Sequence, residues 1–246
     1  MKQIISFLGV VFLFSFSLQA QIRLFLDEQE VGLPDGTSSA WVFPIAGIAE
    51  DAIEDLDDYG KERSDVKMKK VGDNLIIAEK VSMPAIASKR GDLLGYVYLK
   101  DQSYNMAMVF QLGYDISLNS ADWSPEMENL RNYAKAFMAY HYEQEYTRRA
   151  KPQEKELKDL EKEKKQTENK IGNLNDKINN LGKKIGKETE TAKIEAYETD
   201  IRTLEADVKQ LMDNLPGLES SISQLRARIE QNLAESSVYL STIGGL

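Results

Sequence analysis

Two stretches decide the fold: LKDLEKEKKQTENKIGNLNDKINNLGKKI (157–185) and IEAYETDIRTLEADVKQLMDNLPGLESSISQLRARI (194–229). In the first, a heptad with a at Leu157, Lys164, Ile171, Ile178 and Ile185 places Leu160, Thr167, Leu174 and Leu181 at d. In the second, a falls on Ile194, Ile201, Val208, Leu215, Ile222 and Ile229, and d on Tyr197, Leu204, Leu211, Leu218 and Leu225. A sustained apolar repeat at a and d is the pattern of helices packed as a coiled coil. The predicted core is Leu157, Leu160, Ile171, Leu174, Ile178, Leu181, Ile194, Ile201, Leu204, Val208 and Leu211.

The two runs are out of register. The polar segment GKETET (186–191) separates them, with Gly182 just before it. A register break in such a segment predicts a turn between two antiparallel helices. Charge supports that over a parallel homodimer, for which there is no strong case. A parallel pair would set Glu156 against Glu161 and Glu163 against Glu168. A hairpin turning near 188 would pair Lys177 with Asp200 and Lys170 with Asp207, and would bring the acids of 154–168 beside Arg226 and Arg228. Exposed pairs of this kind contribute only a few tenths of a kcal/mol, roughly, so their sign matters more than their size. Lys164 and Thr167 at core positions, with Gly172 and Gly182 nearby, are expected to loosen the stalk. Pro216 predicts a kink or a second turn, and Pro152 raises the same question where the stalk begins.

Upstream the pattern changes to short alternating runs. IRLFL (22–26), WVFPI (41–45), DVKMKKV (65–71), NLIIAEKV (74–81), DLLGYVYLK (92–100) and YNMAMVFQL (104–112) read as strands. LPDG (33–36) and Gly72-Asp73 read as turns. AEDAIEDLDDY (49–59) has helical spacing, with Gly60 as its stop. Ser124-Pro125-Glu126 opens a further helix, with Ser124 as the cap. The predicted fold class is therefore α+β: a small antiparallel sheet in the order β-β-α-β-β-β-β-α, followed by a long antiparallel coiled-coil hairpin. The domain boundaries are 21–149 for the sheet domain and 150–235 for the hairpin, with its turn near 186–191. Residues 236–246 form an apolar C-terminal tail. An unbroken helix from 125 to 185 would reach about 90 Å, too long for the sheet to cover, so the hairpin should project.

Residues 1–20 resemble an export signal. Lys2 gives a minimal positive start, IISFLGVVFLFSFSL (4–18) is apolar, and Ala20 precedes the expected cleavage point. The run is too short for a membrane span. No Cys follows it, so a lipoprotein anchor is not expected. The absence of Cys and of Asn-x-Ser/Thr acceptors points to a bacterial periplasmic or secreted protein.

The chemistry is sparse. The chain has one His and no Cys, so thiol catalysis and zinc–thiolate sites are excluded. With 40 acidic and 31 basic residues, no basic surface for nucleic acid is expected. Asp55, Asp57 and Gly60 mimic part of a calcium loop, but Tyr59 and Val66 fill ligand positions. His141 is read as a helix histidine paired with Glu145, four residues on. Tyr133, Phe137, Tyr140, Tyr142 and Tyr146 make an aromatic group expected to receive the returning segment VYLSTIGGL (238–246). No catalytic, cofactor-binding or metal-ligating residue is nominated, and no cofactor. The leading functional expectation is a non-catalytic envelope protein whose arm contacts a protein partner of unknown identity or acts as a spacer. A small-molecule or lipid-binding sheet domain is the second reading, and a carboxylate hydrolase the third.

Overall fold

A computed structural model describes residues 23–34, 36–113 and 116–246. The expected export segment and its cleavage point lie outside the described residues. The chain runs β1 (Asp27–Leu33), β2 (Gly36–Pro44), α1 (Ala49–Ser64), β3 (Lys69–Val71), β4 (Leu75–Val81), β5 (Gly91–Lys100), β6 (Ser103–Gln111), α2 (Ser124–Ile185) and α3 (Thr191–Gly245). The strands form one antiparallel sheet in the order β1-β2-β6-β5-β4-β3. This is an α+β fold carrying a long helical hairpin.

Several boundaries differ from the sequence reading. Residues 23–26 lie outside the sheet, and the first strand is DEQEVGL. The ladder starts at Asp27 opposite Val42 because β2 then reaches Pro44, which has no N–H to donate. The apolar alternation before it still has a use, since Leu26 is buried in the core. The strand expected over 65–71 shrinks to Lys69–Val71, while Val66 and Met68 drop into the core. Gly60 does not stop α1. It sits inside the helix because the departing chain crosses it, and a Cβ there would come 3.1 Å from the Val66 carbonyl oxygen. The stop is Asp65, at φ 50°, and Val66 N–H returns to the Gly60 carbonyl at 3.1 Å. Ser124 is the first helical residue and caps nothing, because Trp123 holds the cap position.

One face of the sheet packs under α1 and the first turns of α2. Phe43, Leu93, Val97, Met106, Met108 and Phe110 meet Ile53, Leu56 and Tyr59 of α1 and Leu130, Ala134 and Phe137 of α2. Gly95 permits the closest approach, since an added Cβ would lie 2.3 Å from Leu56 Cδ2. The opposite face holds a second apolar cluster built on Val31, Val42, Leu75, Leu94 and Val109. At the start of α2, Trp41 Nε1 donates to the Met127 carbonyl at 2.9 Å, tying β2 to the helix.

Both prolines lie within unbroken helices, Pro152 in α2 and Pro216 in α3, so there is no second turn. The 62 residues of α2 carry it about 90 Å, far past the sheet. Its last turn ends at Gly186, and α3 starts five residues later at Thr191. The apolar tail is no separate element: 236–245 continue α3 back to the sheet domain, where Ile243 enters the main core. No helix among the described residues is long and apolar enough to cross a membrane.

A charge in the seam should therefore separate the two halves energetically. Leu174→Asp together with Leu225→Asp is expected to remove most of the stalk's helical circular dichroism. The near-ultraviolet aromatic signal of the sheet domain should persist; loss of both together would contradict independent packing of stalk and sheet.

Candidate functional site

The stalk repeats the heptad spacing in its burial. Leu174 is buried, and Leu157, Leu160, Ile171, Ile178, Leu181, Ile194, Ile201, Leu204, Val208 and Leu211 are half-buried. Two helices flank each seam residue on one side only, so partial burial is what a lone pair gives. Ile222 and Leu225 are also buried, and belong to the same seam.

The charge pairing holds in part: the acids of 154–168 do run beside Arg226, through Glu161, but the two lysine–aspartate pairs do not form. Neither Lys177 with Asp200 nor Lys170 with Asp207 comes within ion-pair distance among the described residues. The cross-helix pairs are Lys164 Nζ to Glu219 Oε1 at 2.7 Å and Arg226 Nη2 to Glu161 Oε1 at 2.7 Å. Lys184 lies over the Tyr197 ring at 5.7 Å, and Asn232 Nδ2 donates to Gln153 Oε1 at 2.8 Å. These contacts shift the facing positions by roughly two helical turns from those of a hairpin centred on 188. Lys177 and Asp200 share a groove without meeting. The weak energy of exposed pairs explains the slip: apolar packing sets the register, and the charges adapt. Lys164, expected to weaken the seam, instead reaches out to Glu219.

The base of the stalk holds the chemistry that the sequence reading misplaced. His141 is fully buried, yet its partner is not Glu145. Its Nδ1 lies 2.6 Å from Asp55 Oδ2 on α1, and its Nε2 lies 2.9 Å from the Ala46 carbonyl oxygen. Arg148, two turns further along α2, grips the same carboxylate with Nη1 at 2.9 Å and Nη2 at 2.8 Å. Such a two-pronged, charge-assisted contact is among the stronger hydrogen-bonding geometries. Burial would raise the Asp55 carboxyl, but the Arg148 and His141 bonds outweigh it and hold it below its ordinary value. The carboxylate and the Ala46 carbonyl can only accept, so both His141 nitrogens donate.

Glu145 serves the arginines. Its Oε2 lies 3.2 Å from Arg148 Nε and its Oε1 accepts from Arg149 Nε at 2.8 Å. Its carboxylate lies against Gly47, at φ +72°, where a Cβ would come within 2.7 Å of Oε2. The segment 45–47, α1 and α2 are thus locked by one ionic cluster. The acidic run that mimicked a calcium loop lies within helix α1, and Asp55 points at Arg148. Among the described residues no group of three or more metal-ligating side chains is placed to hold an ion.

The aromatic group does receive the returning chain. Tyr239 stacks on Tyr142 with centroids 5.4 Å apart and approaches Tyr146 at 6.1 Å. Lys135 Nζ donates to the Gly244 carbonyl at 2.9 Å, and Arg131 Nη2 donates to the Leu246 carbonyl oxygen. These cations satisfy carbonyls that the end of α3 leaves free and complement its negative pole. No protein family, curated protein or solved structure matches this chain.

Asp55→Asn should lower stability by about 2–3 kcal/mol, since it strands Arg148 and one His141 proton. The wild-type carboxyl sits below its ordinary value of 3.8, so its stabilisation is complete above that pH and disappears as pH falls further. Denaturant titrations should show wild type losing stability with acid over that range more steeply than Asp55→Asn. Parallel curves would refute the clamp's contribution.

Proposed function

We propose that the chain is an exported, non-catalytic cell-envelope protein that uses its helical hairpin as an arm toward a protein partner. One observation carries the reading. Among the described residues, none between 153 and 232 joins the main core of the sheet domain, while the segments on either side, through Tyr142, Tyr146, Tyr239 and Ile243, are fastened to it. A structure of this kind presents a tip, around Lys183–Lys193, at the full distance the helices allow. The arm's surface is charged and patterned by pairs such as Lys164–Glu219, which suits reach through water. Export rests on residues 1–20, and the absence of Cys from the whole chain speaks against a lipid anchor.

Two measurements test this. The mass of the native protein from an envelope fraction should correspond to a chain beginning at Gln21; an uncleaved cytosolic protein would sink the export claim. A variant in which a short Gly-rich turn replaces 168–215 should keep a folded sheet domain and lose cross-linking to the partner seen with the intact arm. Undiminished cross-linking by the shortened chain would move the interaction to the sheet domain.

A further inference from the structure

Beside the ionic cluster, where the segment 45–47 and the β5–β6 turn face the stalk, lies a cleft of about 330 Å³. Its volume is at the small end of ligand sites. Tyr142, Tyr146 and Arg149 of α2 form one wall, and Glu235 and Tyr239 of α3 close it. The cleft exists only because α3 returns to the sheet domain.

Its polar groups are unevenly used. Arg149 spends Nε on Glu145 and lies over the Tyr146 ring at 5.6 Å, so its plane is fixed. Its two terminal amino groups have no partner among the described residues. Tyr142 is buried, and its hydroxyl has no hydrogen-bond partner among the described residues. Burial, with Tyr239, Glu235 and Glu145 nearby, pushes the Tyr146 hydroxyl up to about 12. Glu235 uses one carboxylate oxygen on Gln231 at 3.0 Å. The cleft therefore offers a planar cationic fork, the half-buried Tyr239 phenol, one carboxylate acceptor, and flat aromatic walls.

We propose that this cleft binds a small zwitterion or its peptide equivalent: a free α-amino acid, or the C-terminal residue of a short peptide. The ligand carboxylate meets the terminal amino groups of Arg149 and the Tyr239 hydroxyl, and its nitrogen faces Glu235. A guanidinium fork with both terminal amino groups free suits a carboxylate. A multiply charged anion such as phosphate is disfavoured, because Glu235 and Glu145 flank the one cation the cleft presents. The side chain lies against the tyrosine rings, where apolar and aromatic groups gain most.

The test is calorimetric titration of the full chain with four probes: L-phenylalanine, its amide, N-acetyl-phenylalanine, and the tripeptide Gly-Gly-Phe. At least one free-carboxylate probe should bind, and the amide should bind about tenfold more weakly or worse. A free amino acid as ligand predicts that Glu235→Gln weakens phenylalanine and spares N-acetyl-phenylalanine; a peptide terminus predicts tightest binding by the tripeptide. Tyr239→Phe keeps the ring stacking and removes one hydroxyl, and Arg149→Gln removes the fork; each should weaken binding several-fold. Tyr239→Phe carries the test if Arg149→Gln fails to fold. Equal binding of amide and acid, binding unchanged in both variants, or no heat from any carboxylate at about 5 mM would overturn the proposal. Shortening the arm should leave this binding intact, so its failure and failure of the arm reading are distinguishable.

Discussion

Asp55 is held from two sides by side chains of one helix, and the architecture depends on that grip. His141 and Arg148 both project from α2 onto a carboxylate of α1. An isolated buried carboxylate would be expensive, and one partner alone would leave lone pairs unmet. His141 and Arg148 together give the carboxylate three hydrogen bonds, and the Ala46 carbonyl accepts from the other ring nitrogen of His141. The arrangement fixes α2 just before it leaves the sheet domain. Breaking such a cluster is costly, whereas an apolar replacement can be neutral, so its value here is positional. It selects one seating of α2 where greasy contacts alone would allow sliding.

Beyond that point the stalk obeys simpler physics. A two-helix seam buries each residue incompletely, so the pair gains little per heptad and depends on length and closure. Closure comes from the far end of α3, whose Tyr239 and Ile243 enter the sheet domain and whose last carbonyls accept from Arg131 and Lys135. The hairpin is therefore held at its root by both strands of chain. The same return creates the tyrosine-lined cleft, which belongs to neither half alone.

The legibility of each part follows the range of its interactions. The stalk was readable because a heptad is written locally, and the meander because its turns are marked by Gly72 and its strands by period two. Pro152 and Pro216 looked disruptive, yet a long helix with a continuous seam absorbs them. The register was not readable, since weak surface charges like Lys177 and Asp200 follow packing and do not set it. Strand β1 was misplaced because Leu24 and Leu26 alternate as strand residues do while lacking a partner beyond Pro44. Spacing pairs His141 with Glu145, its neighbour along the helix, whereas its partner lies 86 residues away on α1. The one available signal was the apolar helix face bearing an acid at Asp55, flanked by Ile53 and Leu56. An acid inside a core stripe asks for a buried cation.

The clamp admits a direct spectroscopic test, because His141 is the chain's single histidine and its ring signals need no assignment. A nitrogen-resolved proton spectrum of the native protein should show two ring N–H signals from His141. Both should be protected from solvent exchange, and the Nδ1 signal should shift in Asp55→Asn. One N–H signal with a bare second nitrogen, or rapid exchange of both, would contradict the account.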